Sequence, residues 1–298
     1  MDLHRRELLM NNYFCGWYFK CQSKTQTLAI IPAFHQSNHR QTCSIQVITK
    51  DHSFHVPFPA FHLYKNKKEQ ILKMNGTIFS KEEIVINIHT DKLKMSGSLT
   101  FHDFHPLKYD IMGPFRYVPF MECRHSVFSM RHTVNGVVTI NGERYQFDNA
   151  VGYTEGDRGI SFPRNYIWTQ CFYKNLSIML SVAEIPVSFL PFCQKKTFTG
   201  LIGVIAWNEK EYRFATYLGA KVRKIEDGLV IIEQGNYRLS VQLLEPVLHP
   251  LYAPQNGEMF RIIKENTSCR AKYHLENKEK TLFSFETDNA SFEYEYEK

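Results

Sequence analysis

Short runs in which apolar and polar residues alternate fill most of the chain, and turn residues separate them. Strict alternation is typical of a β-strand with one buried face. A clear example lies near the C-terminus, where Phe292, Tyr294 and Tyr296 alternate with polar residues. Helical periodicity is confined to residues 2–10. The pattern therefore predicts an all-β protein.

Turn dipeptides mark the ends of the predicted strands. Asn135-Gly136 and Asn141-Gly142 both have the composition of type I′ turns and flank the short apolar run 137–140, which predicts a three-stranded meander. Further turns are predicted at Lys174-Asn175, Asn208-Glu209, Asp227-Gly228 and Gly235-Asn236. Short strands at regular spacing indicate a sandwich or a barrel.

Length and turn content predict how the chain is divided. A chain of 298 residues is long for one core and suits two domains of about 150 residues. The segment FDNAVGYTEGDRG, residues 147–159, is rich in turn residues. We therefore expect two β-barrels, formed by residues 1–148 and residues 149–298.

The composition favours a globular protein with room for an apolar ligand. Aromatic residues make up 14% of the chain and suit both pleated strands and a cavity for a large apolar molecule. The seven cysteines form no CxxC pair, and the N-terminal segment lacks the apolar core of a signal peptide. These features predict a cytoplasmic protein with reduced thiols. No uncharged apolar run reaches roughly 18 residues, so no membrane span is expected.

The net charge of +6 is carried entirely by residues 1–148. This basic half favours an acidic partner or peripheral contact with a membrane surface, while the simpler explanation is a solvated surface. No stretch combines clustered Lys and Arg with spaced aromatic rings, so we expect no nucleic-acid partner. The sequence also lacks phosphate-binding glycine loops and a serine nucleophile elbow.

Histidines and carboxylates supply the candidate chemistry. Among the 13 histidines, close pairs such as His102 and His105 are spaced i, i+3, which places them on opposite faces of a strand, so we expect no metal site. Glu122 and His125 have the same spacing, but Gly and Pro residues precede them. A bend there would make them an acid–base pair. The alternative is a surface contact beside a packed loop.

Three segments resemble the tocopherol cyclase family: YFCGWYFK at 13–20, GYTEGDRGISFPRNYIWTQC at 152–171 and APQNGEMFRIIKE at 253–265. Their order and spacing match over essentially the whole chain. The resemblance implies two lipocalin-like antiparallel β-barrels side by side with an apolar pocket. It also relates the chain to carotenoid hydratases and cofactor-free pericyclases.

The family's reaction closes a chromanol ring, because a phenol oxygen adds across an alkene in a prenyl tail. The resemblance implies an apolar substrate such as a prenyl quinol, a terpenoid or a polyene, and neither a metal nor another cofactor. An acid must protonate the alkene in a dry pocket whose ring faces stabilise the cation. Glu155 and Asp157 are the candidate acids, because a desolvated carboxyl group stays protonated near neutral pH. The implied ligand-binding residues are Trp17, Tyr18, Tyr153, Phe162, Tyr166, Trp168 and Gln170.

One of these groups has a predicted geometry. On a strand over 166–171, Tyr166, Trp168 and Gln170 share one face. They would point a polar amide and two rings into one cavity. The alternative is a barrel core with a hydrogen-bonded glutamine.

Two positions depart from the family pattern. Cys15 stands where an acidic residue usually precedes GWYF, and Arg158 stands where a tryptophan usually precedes glycine. An arginine beside Glu155 and Asp157 would keep both ionised and weaken an alkene-protonating acid. Arg158 is instead a candidate for binding an anionic head group or for an ion pair. A non-catalytic carrier or sensor of an apolar ligand, and a structural β-protein with a filled core, are the alternatives to a cyclase.

Overall fold

The computed structural model describes residues 11–38, 40–66, 71–118, 121–186, 197–278 and 280–296. In these ranges the chain forms β-strands and three short 3-10 helices, at Ala60–His62, Gly113–Tyr117 and Thr216–Leu218. The predicted all-β class is confirmed, and the predicted helix at residues 2–10 lies outside the described residues. No helix in the described part of the chain has the length and apolar character needed to cross a membrane.

Eleven strands form the first antiparallel sheet. They are β1 (Tyr13–Gln22), β2 (Thr27–Ser37), β3 (Arg40–Thr49), β4 (Ser53–Pro59), β5 (Leu63–Asn66), β6 (Ile71–Met74), β7 (Thr77–Phe79), β8 (Glu83–His89), β9 (Lys94–His102), β10 (Cys123–Ile140) and β11 (Glu143–Gly159). Their spatial order is β4-β3-β2-β1-β11-β10-β9-β8-β7-β6-β5. The two edge strands, β4 and β5, are therefore consecutive in the chain, and the 3-10 helix Ala60–His62 joins them.

Ten strands form the second sheet, which repeats this plan. They are β12 (Tyr166–Tyr173), β13 (Leu176–Pro186), β14 (Thr197–Trp207), β15 (Lys210–Ala215), β16 (Lys221–Glu226), β17 (Leu229–Gln234), β18 (Tyr237–Leu243), β19 (His249–Gln255), β20 (Glu258–Asn277) and β21 (Thr281–Glu295). The order is β15-β14-β13-β12-β21-β20-β18-β17-β16, with β19 paired to β20. The edge strands β15 and β16 are again consecutive, joined by Thr216–Leu218.

The chain divides into two compact units. Unit 1 comprises Met1–Lys108, Phe120–Phe162 and Pro250–Ile262, and unit 2 comprises Tyr109–Pro119, Pro163–His249 and Ile263–Lys298. The domain boundary expected between residues 148 and 149 stays a prediction. In the structure, β11 continues through this position to Gly159.

Aromatic rings fill the apolar cluster of each unit. In unit 1, the rings of Phe79 and Phe101 stack on Phe19 with centroid distances of 5.9 and 6.1 Å. In unit 2, Phe285 stacks on Tyr173 at 3.9 Å and on Tyr273 at 5.4 Å. Part of the high aromatic content therefore serves packing within the cores.

One predicted turn is wrong. β10 continues through Asn135 and Gly136, and the hairpin turn is formed by Asn141-Gly142, with φ angles of 49° and 91°. Gly136 lies at a β-bulge, where a Cβ atom would be 2.1 Å from the carbonyl oxygen of Ser98. Glycine is required there because the neighbouring strand approaches closely. The Asn-Gly dipeptide therefore forms a bulge at residues 135–136 and a turn at residues 141–142.

Candidate functional site

Three residues of β11, namely Tyr153, Glu155 and Asp157, project from one face of the first sheet. Phe19, whose ring lies in the apolar cluster of unit 1, pairs with Thr154, the residue between Tyr153 and Glu155. Since successive strand residues face opposite sides, the three lie on the face away from that cluster. His125 of β10 is directly opposite Asp157 and shares this face.

His125 lies between the two carboxylates. Its Nδ1 atom is 3.0 Å from Oδ1 of Asp157, and its Nε2 atom is 3.1 Å from Oε2 of Glu155. The Tyr153 hydroxyl donates a hydrogen bond to the same Glu155 oxygen. The Cys123 thiol donates to Oδ1 of Asp157 at 3.5 Å. One imidazole ring therefore joins two carboxylates, and each carboxylate has a second, neutral donor.

The carboxylates set the charge of the ring. Burial alone would lower the pKa of His125, but Glu155 and Asp157 outweigh it, and the pKa of His125 is raised well above its usual value of 6.5. The ring is therefore an imidazolium near neutral pH and has an N–H for each carboxylate. Burial, reinforced by the same carboxylates, raises the pKa of the Tyr153 hydroxyl and of the Cys123 thiol, so both stay neutral.

Access distinguishes the two carboxylates. The Glu155 side chain is 6% exposed, whereas that of Asp157 is 22% exposed. Asp157 is also directly opposite Gly16 in β1, which has no side chain to cover it. Asp157 is therefore the member of the cluster that a ligand on this face reaches.

The same residues have the donor types of a metal site. Ligand atoms of His125, Glu155 and Asp157 all lie within 4.8 Å of one another, and zinc and manganese bind such groups. Each ring nitrogen of His125 also faces a carboxylate oxygen, at 3.0 and 3.1 Å. A metal requires an unprotonated nitrogen, so a bound metal and an ion-paired imidazolium are alternative states of the same three residues.

His125 lies on the face of the carboxylates, whereas Arg158 lies on the opposite face. In β11, Arg158 is opposite Cys15 of β1 and Arg124 of β10. These positions lie on the face of the sheet that carries the apolar cluster, because adjacent strand residues point to opposite sides. The expectation that Arg158 ionises the neighbouring carboxylates is therefore corrected.

Glu122 does not join the cluster. Its carbonyl oxygen accepts hydrogen bonds from the N–H groups of Ile160 and Ser161 at 2.7 and 3.3 Å. Burial raises the pKa of its carboxyl group. Among the described residues, His125 pairs with the carboxylates of β11 and not with Glu122.

Cys123 belongs to the site although no sequence pattern marks it. It precedes His125 by two positions in β10 and therefore shares its face. That signal exists in the sequence, but it identifies Cys123 only once the face of His125 is known.

The aromatic candidates of unit 1 divide between the two faces. Tyr18 is buried and directly opposite Glu155, on the face of the cluster. Trp17 packs against the apolar core on the other face. Phe162 follows β11 and meets Phe14 edge-on, with a centroid distance of 5.5 Å. Strand pairing thus places Tyr18 on the face of the carboxylates, together with Tyr153.

The aromatic candidates of β12 belong to unit 2. Tyr166, Trp168 and Gln170 are buried and share one face, as alternation predicts. Ile167 and Cys171, which alternate with them, lie in the apolar cluster of unit 2. The three therefore point away from that core, and the alternative of a core glutamine is set aside.

The segments that carry the family resemblance meet in unit 1. β1 pairs with β11 along its length. The hairpin formed by β19 and β20 joins them, because the N–H of Phe162 donates to the Pro254 carbonyl at 3.0 Å and the N–H of Gly257 donates to the Ile160 carbonyl at 2.8 Å. Pairing between distant parts of the chain therefore assembles this region.

These features define an all-β protein with two large antiparallel sheets and a buried His–Glu–Asp cluster on one of them. Solved structures share the fold. CghA with Sch210972 has a TM-score of 0.59 at 9% identity, covering 96% of this chain and 89% of that chain. Kievitone hydratase from Nectria haematococca has a TM-score of 0.51 at 10% identity, with the same coverage of both chains. An AttH candidate from Nitrosomonas europaea has a TM-score of 0.54 at 10% identity, covering 100% of this chain and 97% of that chain.

A family model also matches part of the sequence. The model of the tocopherol cyclase-like family matches residues 76–220. The matched residues include His125, Glu155 and Asp157. The match confirms the family resemblance through the segment at 152–171, while the segments at 13–20 and 253–265 lie outside the matched residues. No curated protein matches the sequence.

Proposed function

We propose that the chain is an enzyme of the cyclase or hydratase type that adds an O–H group across a carbon–carbon double bond of a neutral apolar substrate. The observation that carries this proposal is the imidazolium of His125 held between Glu155 and Asp157. The tocopherol cyclase-like family match and the fold shared with kievitone hydratase support this reaction class. A prenyl quinol, a terpenoid or a polyene has the required chemistry.

Asp157 is the residue that exchanges a proton with the substrate, because it is the more exposed carboxylate. His125 passes a proton to Asp157, and the carboxyl group protonates the alkene. The alkene electrons form the new C–H bond and leave a tertiary cation. A phenol or water oxygen bonds to that carbon and returns its proton through Asp157 to His125. Atoms, charges and the proton count of the cluster balance over the cycle.

The surroundings suit a cationic intermediate. The Glu155 and Asp157 carboxylates lie in a largely buried environment, where they act on a nearby cation more strongly than they would in water. The ring of Tyr18 lies opposite Glu155 and adds a π face. Glu155, held by Tyr153 and His125, is a positioning residue.

We also infer that each sheet closes into a lipocalin-like barrel. The edge strands of each sheet are consecutive and joined by one short 3-10 helix. In unit 2, Gln234 at the end of β17 bridges to β15: its Oε1 accepts from the N–H of Ala215 at 3.0 Å, and its Nε2 donates to the Arg213 carbonyl at 2.7 Å. Because aromatic rings occupy the cores, the ligand lies on the face with Asp157 and not inside the first barrel.

The test is product formation in D₂O with a panel of prenyl quinols, terpenoids and polyenes. We expect the product to carry one deuterium on carbon, and Asp157→Asn to lower kcat/KM by about 10²- to 10⁴-fold. Asp148→Asn changes an exposed carboxylate of the same strand and should keep full activity. Product without carbon-bound deuterium, or full activity in Asp157→Asn, contradicts the proposal. Bound ligand recovered unchanged favours the carrier alternative.

A further inference from the structure

A row of small residues leads away from Asp157 across the sheet face that carries the cluster. Asp157 is opposite Gly16 in β1, Gly16 is opposite Ala33 in β2, and Ala33 is opposite Ser44 in β3. Neighbouring strands lie about 4.8 Å apart, so three strand spacings, about 14 Å along the sheet, separate Ser44 from Asp157. We call Gly16 and Ala33 the floor.

The floor carries no large side chain, and an added Cβ atom at Gly16 would make only ordinary van der Waals contacts. Gly16 lies in a regular strand without a positive φ angle, so its backbone does not require glycine. A Cβ atom there would lie 3.4 Å from Cβ of Ala33 and 3.6 Å from the Pro32 oxygen, which are contacts within the sheet. In the described part of the chain, no other atom would come closer than 4.0 Å. Gly16 is also partly exposed.

A buried polar pair ends the row. Nε2 of His35 is 3.0 Å from Oγ of Ser44. His35 is 3% exposed, and its Nδ1 atom has no hydrogen-bond partner within the described ranges. Burial, with a smaller effect from His55, lowers the pKa of His35 to about 3, so the ring is neutral. An unmatched buried nitrogen costs free energy unless a ligand or water pairs with it.

We propose that His35 and Ser44 bind a hydroxyl or carbonyl group of the substrate, while its apolar body lies over Gly16 and Ala33 towards Asp157. The position of the reacting double bond at Asp157 rests on the proposed function. A ligand hydroxyl both donates and accepts, so it can pair with a neutral imidazole in either tautomer. The neutral His35 ring offers an anionic group no countercharge. The ligand is thus a neutral amphiphile whose oxygen and reacting carbon lie about three strand spacings apart along the sheet.

Two prenyl compounds that differ in one hydroxyl group test this site. Farnesol and farnesene compete with the neutral fluorophore N-phenyl-1-naphthylamine, in wild type and in the Asp157→Asn background, which prevents turnover. We expect Ser44→Ala to weaken farnesol binding by about 5- to 10-fold and farnesene binding by less than about twofold. His35→Phe, which keeps an aromatic ring, should act in the same way. Gly16→Val should weaken both ligands, and the exposed Ser96→Ala neither.

Each other outcome is decisive. Equal losses for both ligands in Ser44→Ala would show a packing effect and overturn the proposal. It is also overturned if wild-type protein binds neither ligand, or binds farnesol no better than farnesene. A farnesol preference that depends on Ser44, together with no turnover in D₂O, would instead reject the proposed reaction and retain this binding site.

Discussion

Two buried histidines of β10 differ in charge near neutral pH: His132 is neutral, and His125 is protonated. His132 lies on the core face of the first sheet, with its ring 5.1 Å from Phe101 and 5.2 Å from Phe104. Burial lowers the pKa of His132 to about 4. His125 lies on the other face, where the carboxylates overcome the same effect and raise its pKa.

Two effects set the pKa of a buried histidine. Desolvation lowers the pKa and favours the neutral ring, whereas carboxylates that face the ring raise the pKa and favour the protonated ring. In unit 1, the core face supplies apolar packing, and the opposite face supplies a fixed charge pattern. Burial therefore does not distinguish structural from chemical histidines, whereas the groups opposite them do.

The largest expected effect comes from making His125 resemble His132. In a Glu155→Gln, Asp157→Asn double variant, burial would act alone, so the ring should become neutral near neutral pH. We expect activity to fall by about 10²- to 10⁴-fold. ¹⁵N NMR of the ring nitrogens reports the charge state, with Asp148→Asn as the matched control. A ring that stays protonated in the double variant would contradict the assignment of its charge to these carboxylates.

The next effect concerns acid stability and His132. The unfolded chain takes up this proton below about pH 6.5, but the folded chain does so only below about pH 4. The folded state therefore loses stability as pH falls through this window, by up to about 3 kcal/mol. We expect His132→Phe to reduce the loss between pH 7 and pH 4, measured by urea unfolding. The exposed His89→Gln should leave it unchanged, and an equal loss in wild type and His132→Phe would refute the sign of the shift.

Local patterns in the sequence predict a large part of the site. Alternation places Tyr153, Glu155 and Asp157 on one face, because the side-chain period of a strand is two residues. The Asn141-Gly142 dipeptide predicts the hairpin that brings β10 beside β11. The family resemblance adds the segments that pair with them. Alternation and the turn dipeptide can both be recognised without knowing which distant strands pair.

The partner of the carboxylates depends on strand register, which the turn alone predicts wrongly. At the hairpin turn, Ile140 pairs with Glu143. If the register stayed regular from there along both strands, His125 would pair with Arg158. Irregularities along β10 change the register, and Asp157 is opposite His125 instead. A slip of one residue moves a side chain to the other face of the sheet. The bulges arise from close packing across strands, which short-range patterns do not contain.

The smallest expected effect compares glycines on the two faces. At Gly152, on the core face, an added Cβ atom would lie 2.2 Å from Nε2 of His132 and 2.6 Å from Cγ2 of Val134. We expect Gly152→Ala to destabilise the protein by about 1–3 kcal/mol because this region is overpacked by the new methyl group. At Gly16, the methyl group would make only ordinary van der Waals contacts, so Gly16→Ala should change stability by less than about 0.5 kcal/mol or raise it slightly by restricting the unfolded chain.

Urea unfolding of both glycine variants measures the difference directly. A large loss in Gly152→Ala with none in Gly16→Ala means that the core face is filled while the face beside Asp157 has room for a ligand. Equal destabilisation would mean that other parts of the protein occupy the space over Gly16. In that case the floor would be a packed surface, and a substrate could reach Asp157 only from its exposed side.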